Sequence, residues 1–219
     1  MITGAIFDLD GTLLDSNGYW NLAPDEYLKT LGKHAAPDLA QTIFTMTLPE
    51  ASDYMIREYG LTQTPEEINE GVNAAMERFY LTEIPLKEGV REAVEQLHGK
   101  GIRLAIASVT DRKLVAGVMR RFGLLDQISR IVTVADVGVG KHEPDVYLEA
   151  ARQIGCRPEE TLVFEDALHA LQTAKRAGFV TVGIRDEASA ARQQEIRDAA
   201  DYYLGSFREI GTVLKSIIN

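Results

Sequence analysis

Short apolar runs alternate along this chain with stretches in which apolar residues return every three or four positions. The runs are "GAIFDLD", "IRLAIASV", "RIVTVADV", "TLVFED" and "FVTVGI". They are rich in β-branched and aromatic residues and lack polar alternation, so each reads as a strand buried on both faces of a parallel sheet. Between them, "GVREAVEQLHGKG" aligns Val90, Val94 and Leu97 on one stripe and closes on Gly99 and Gly101, where a helix stops. Further helical patterns are predicted at about 111–121, 144–154, 167–177, 188–199 and 206–217. Strand and helix in alternation predict an α/β fold with a doubly wound, Rossmann-like parallel sheet.

Residues 16–83 break the rhythm, with helical patterns and turn signals but no convincing strand. They predict a helical domain inserted into an α/β core made of residues 1–15 and 84–219. Thr64, Pro65 and Glu67 form a helix-start signal ahead of Ile68, Val72, Ala75, Met76 and Phe79 on one face. Thr47 and Glu50 form a second start ahead of Tyr54, Met55 and Tyr59. Two earlier segments, at about 20–31 and 37–45, complete a predicted four-helix unit. Pro85 and Gly89, in "EIPLKEG", suit a hinge on the return to the core.

Composition narrows the partners. Twenty-three Lys and Arg against 33 Asp and Glu give a net charge of −10, which disfavours nucleic-acid backbones and anionic membranes. No apolar run reaches the roughly 18 residues of a spanning helix, and the N-terminus lacks a secretory pattern, so a cytoplasmic location is expected. The single cysteine, Cys156, reads as a small packed thiol. An anionic small molecule remains a possible ligand if a local cation or metal reverses the field.

Ligands of open parallel sheets bind beyond the carboxyl ends of the strands. Here the first strand ends in Asp8, Asp10, Gly11 and Thr12, the second in Ser108, and the fourth in Glu165 and Asp166, while Lys141 follows the third in "GVGK". Clustered carboxylates suit a hard cation, and Asp8, Asp10 and Asp166 form a candidate Mg²⁺ cage. Asp8 is then a candidate nucleophile toward phosphorus, and Asp10 a candidate general acid and base. Ser108 and Lys141 are candidate phosphoryl-oxygen binders, and the ammonium would offset transition-state charge.

The motifs "FDLDGT", "IASV", "GKHEPDVY" and "VFEDA", in this order, resemble the four motifs of the haloacid dehalogenase superfamily, in its branch of phosphatases and phosphoglucomutases with a helical cap. The resemblance implies a Mg²⁺-dependent phosphatase of a small phosphorylated metabolite working through an aspartyl-phosphate. It implies Asp8 as nucleophile, Asp10 as acid and base, Ser108 and Lys141 as phosphate binders, and Asp8, Asp10 and Asp166 as magnesium ligands with Glu165 assisting. Thr12 and Val109 join the candidate substrate-binding set. The pattern is not followed throughout: Ala167 and Ala170 stand where the family often has serine and glycine, His142 where proline is common, and Val109 where asparagine is frequent.

Other readings are weaker. The GxxxxGK[ST] nucleotide loop would need glycine and a hydroxyl where Ala135 and His142 stand, and no GxGxxG follows the first strand. Dehalogenation is disfavoured because Asp10 is present. A phosphoglucomutase-type transferase is the alternative, lowered because "TMTLPEAS" lacks the arginine that the cap turn of family mutases carries. A binding protein without catalysis is a third class, in which Asp8→Asn would change nothing. His169, beside Asp166, reads as structural or solvent-facing, and His34 and His98 as surface residues. Tyr19 and Trp20 read as packing aromatics, with substrate contact as the alternative, and the turn from Thr45 to Glu50 is a candidate for reading the substrate.

Overall fold

The computed structural model describes residues 1–43 and 46–218; Thr45 of the candidate turn lies outside the described residues. The sheet consists of β1 (Gly4–Phe7), β2 (Arg103–Ser108), β3 (Ile128–Thr133), β4 (Thr161–Glu165), β5 (Val180–Ile184) and β6 (Tyr202–Leu204), in the order β3-β2-β1-β4-β5-β6. All neighbours pair in parallel, and Gly4 of the central strand stands opposite both Arg103 and Thr161. β1 and β4 are buried along their whole length, as their continuous apolar runs require. Strand order reverses between β1 and β4, so the loops leaving their carboxyl ends diverge and open a crevice.

Three details depart from the expected elements. β6 is too short for a periodic signal, and its edge position leaves Tyr202 and Tyr203 half-buried. The strand expected through "RIVTVADV" stops at Thr133, whose N–H and hydroxyl donate to Asp136 at 2.6 and 2.9 Å. That local capping competes with the sheet and winds Val134–Val137 into a helical turn. The helix expected at 188–199 starts late, at Gln193, behind a 3₁₀ turn over Ala190–Arg192.

The chain divides into two compact units, Met1–Asp15 with Pro85–Asn219, and Ser16–Ile84. The second contains α1 (Asn17–Trp20), α2 (Ala23–Thr30), α3 (Leu39–Ile43), α4 (Leu48–Tyr59) and α5 (Pro65–Thr82). The helix expected at 20–31 is α2, which starts at Ala23 with Pro24 in its first turn, where its missing N–H is harmless, and the short α1 precedes it as a turn that was not expected. Both capping boxes form: Thr47 and Thr64 donate their backbone N–H to Glu50 and Glu67, each at 2.8 Å. Ile68, Met76 and Phe79 are buried, and Tyr19 packs edge-on to Phe79 at 5.2 Å, while Trp20 is 45% exposed. Gly71 lets α5 approach α2 closely, since a Cβ there would lie 2.0 Å from the Tyr27 ring.

The first unit completes its layers with α6 (Val90–Gly99), α7 (Arg112–Arg121), α8 (Val134–Val137), α9 (Asp145–Gln153), α10 (Leu168–Arg176), α11 (Gln193–Ala199) and α12 (Ile210–Ile218). Strand alternation sends Ile6, Ala105 and Val163 against α9 and α10 in one core. Phe7 stacks on Phe164 at 4.6 Å, and Phe164 on Phe207 at 5.7 Å. The half-buried Cys156 sits beside Thr3, with 3.5 Å between Oγ1 and Sγ. Where this unit gives way to the inserted segment, Asp15 N–H donates to Pro85 C=O at 3.1 Å and Lys87 N–H to Leu13 C=O at 2.9 Å, so departing and returning chain run side by side. Among the described residues no helix is long and apolar enough to cross a membrane.

Candidate active site

The ladder between β1 and β4 continues one step past the strand, because Asp8 N–H donates to Phe164 C=O at 3.0 Å. That places Asp8 beside the acids ending β4. Leu9 is buried between Asp8 and Asp10 in the sequence, anchoring the loop in the core. Gly11, at φ 77°, takes the left-handed conformation that turns the chain back. The N–H groups of Leu13 and Leu14 then both donate to Leu9 C=O at 2.9 Å.

Asp8, Glu165 and Asp166 are buried, and one carboxylate oxygen from each lies within 4.8 Å of the others. Asp10 lies outside this group: its Oδ2 accepts from Thr110 Oγ1 at 2.7 Å. Lys141 enters from the loop after α8 and donates to both Asp8 and Glu165, the latter at 2.7 Å. Glu165 also accepts from the Tyr147 hydroxyl at 2.6 Å. Thr12 is fully buried and its hydroxyl donates to Asp166 at 2.9 Å, so it holds an acid where contact with substrate was expected. Ser108 is buried at the end of β2, its hydroxyl accepting from Thr110 N–H at 3.0 Å. Val109 is 60% exposed and has only backbone groups to offer a polar ligand. His169 is exposed on α10, as are His34 and His98 elsewhere.

Burial pushes the Asp8 carboxyl well above the usual range, with Glu165, Asp166 and Asp10 adding to the rise and the Lys141 ammonium opposing it. Burial alone would lower Lys141, but Asp8 and Glu165 outweigh it, and the ammonium is held charged, above its ordinary value. Asp166 is pushed up to about 7 by burial and then by Glu165 and Asp186, against the Thr12 hydrogen bond and Lys87. Burial, then Glu165, raises the Tyr147 phenol. Lys141 bonds two of these three buried acids, and Lys87 acts on Asp166 while itself paired with Asp186, so the group keeps an excess of negative charge that a divalent cation would correct. Every donor in the group is a carboxylate oxygen, and a hard ion fits such a set.

Sequence reasoning passed over three contributors. Tyr147 stands in the quoted "GKHEPDVY", in the first turn of α9, but a tyrosine at helical spacing reads as core. Thr110 lies two residues beyond Ser108, where only the strand-end hydroxyl was weighed. Asp186 lies two residues past β5, whose run "FVTVGI" carries no acid to mark it; it is buried and accepts from Lys87 Nζ at 2.7 Å.

The match to the family model for haloacid dehalogenase-like hydrolases covers residues 5–184. A phosphorylated carbohydrates phosphatase of Thermotoga maritima is 28% identical over 80% of this chain and 81% of its own. Hexitol phosphatase B of Escherichia coli K12 is 26% identical over 95% of this chain and 94% of its own. A crystal structure from Thermotoga maritima, provisionally described as a β-phosphoglucomutase, superimposes with a TM-score of 0.85 at 26% identity, covering 99% of this chain and 100% of that one. With the family model matched over most of its length and these relatives beside it, the chain belongs to the haloacid dehalogenase-like hydrolase family, in its branch of phosphatases and phosphoglucomutases.

Proposed function

We propose that this chain, a phosphoric monoester hydrolase, is a magnesium-dependent phosphatase of a small phosphorylated metabolite, a sugar phosphate or a similar monoester. The observation that carries the reading is the meeting of Asp8, Glu165 and Asp166, the first two bonded by the Lys141 ammonium, with Asp10 two residues from Asp8 but outside the group. Asp8, Glu165 and Asp166 would hold the cation, with Asp10 beside them. When bound, magnesium supplies the positive charge that keeps these acids ionised and offsets the charge of the phosphoryl group.

In the reaction, an Asp8 carboxylate oxygen forms a bond to phosphorus while the ester P–O bond breaks. The electron pair goes to the ester oxygen, which takes the proton of Asp10 and leaves as the neutral alcohol. Water then attacks the phosphorus of the aspartyl-phosphate and gives a proton to Asp10; the bond to Asp8 breaks and phosphate departs. Lys141 stabilises the charge on the phosphoryl oxygens, and Ser108 donates to one of them. Thr12 fixes Asp166, leaving the backbone N–H of Val109 as the further donor of the substrate-binding set.

The test is phosphate release from a panel of sugar, nucleotide and two- or three-carbon phosphates, with magnesium and with chelator. Release that depends on the metal and is abolished in Asp8→Asn is expected. Release undiminished by chelator overturns the reading. A phosphoglucomutase-type transfer on the same residues is the second reading, favoured by the likeness to the Thermotoga maritima structure. Stoichiometric isomerisation of a sugar phosphate with little free phosphate would put it first.

A further inference from the structure

Asp10 and Ser108 come from different strands, and one residue ties them together. Thr110, partly buried, donates its hydroxyl to Asp10 Oδ2 at 2.7 Å across 100 positions of sequence, while its backbone N–H donates to Ser108 Oγ at 3.0 Å. The second bond pins Thr110 to the end of β2, a strand paired in register with β1, so the hydroxyl is presented from a fixed frame. A carboxylate side chain has two freely rotating bonds, and a short donor at one oxygen narrows the directions in which the other can point. Asp10 has interactions besides this one, so Thr110 is one of several restraints and not the whole holder.

We propose that Thr110 is a positioning residue for the proton donor: by occupying Oδ2 of Asp10 it leaves Oδ1 as the oxygen that carries the proton to the departing ester oxygen. This rests on the phosphatase reading above. It has a consequence that a merely structural role lacks. Proton donation matters most when the leaving group is a strong base and least when it departs readily as an anion. Displacing the donor therefore slows the ester-cleaving step selectively for poor leaving groups.

Phenyl phosphate and p-nitrophenyl phosphate differ little in shape but strongly in leaving-group basicity. Both are assayed with magnesium for the unaltered protein, Thr110→Val, Thr110→Ser and Asp10→Asn, alongside thermal unfolding of each. Because kcat/KM reports the step that breaks the ester bond, ahead of the water attack common to both esters, Thr110→Val is expected to lower kcat/KM about tenfold on phenyl phosphate and less than about twofold on p-nitrophenyl phosphate. Thr110→Ser restores the hydroxyl and the rate, and Asp10→Asn shows the same selectivity more strongly. If Thr110→Val unfolds at assay temperature, Thr110→Ala at lower temperature gives the same comparison. A loss of kcat/KM on p-nitrophenyl phosphate as large as that on phenyl phosphate, or no change on either, overturns the proposal. Absence of magnesium-dependent release from either ester by the unaltered protein is a separate result and overturns the phosphatase reading itself.

Discussion

Tyr147 donates its hydroxyl to Glu165 Oε1 at 2.6 Å, and that same oxygen accepts Lys141 at 2.7 Å. A residue of α9 thus restrains the ammonium indirectly, through the acid they share. Tyr147→Phe removes a buried donor and keeps the ring, so a loss of about 1–2 kcal/mol in stability is expected, read by denaturant unfolding. Turnover is expected to fall several-fold as Lys141 loses a restraint. A variant with wild-type stability and wild-type kcat would separate the hydroxyl from the site.

Replacing Lys141 with methionine tests the charge balance itself. It leaves Asp8 and Glu165 buried without their ammonium, and a fall in kcat of about two to three orders of magnitude is expected at saturating magnesium. Lys141→Arg keeps the charge but not the compact ammonium geometry, and is expected to recover little. Near-complete recovery by arginine would mean that charge alone suffices there.

The raised Asp166 gives a pH dependence with a definite sign. Its folded pKa of about 7 lies above that of an unfolded aspartate, so the metal-free folded state binds the proton more tightly. Stability of the metal-free protein therefore falls as pH rises between about 4 and 7, by up to about 1.4 kcal/mol per unit from this group. A cation competes with that proton, so the rise in unfolding temperature caused by added magnesium should grow from pH 5.5 to 7.5. Thermal scans with magnesium and with chelator across that range check both trends, and Asp166→Asn should flatten them. A magnesium effect independent of pH would contradict the assignment of Asp166 as a ligand.

Lys87 and Asp186 form an ion pair with side chains only 14% and 3% exposed. Lys87 also donates to Arg185 C=O at 2.6 Å. Lys87→Met removes the ammonium beside the buried Asp186, whose Oδ1 still accepts from Ala188 N–H at 2.9 Å, and is expected to cost about 3 kcal/mol, more than an exposed pair would. Urea unfolding measures it; a cost below about 0.5 kcal/mol would mean that the pair is solvent-screened.

Much of this was legible because burial leaves a periodic trace. Ile6, Ala105 and Val163 had to be apolar to fill a parallel sheet, and the acids had to follow them at the strand ends. Thr64 and Glu67 announced α5 because capping is local chemistry. What escaped was set by partners distant in sequence. Tyr147 acts through Glu165, Thr110 through Asp10 and Asp186 through Lys87, and neither spacing nor composition announces such pairs. The bond from the Thr12 hydroxyl to Asp166 belongs with them, since its partner lies 154 positions away.

The paired backbone around Leu14 and Leu86 gives the helical segment a particular standing in the chain. Because Asp15 bonds Pro85 and Lys87 bonds Leu13, the two cut points of Ser16–Ile84 are already stitched together inside the α/β unit. Topologically the whole segment is the loop of a hairpin. Closing a longer or shorter loop across a fixed stem changes chain entropy only slowly with length. The α/β unit can thus exchange what it carries at this point, by insertion, trimming or replacement with a short turn, while Asp8, Glu165 and Asp166 keep their frame.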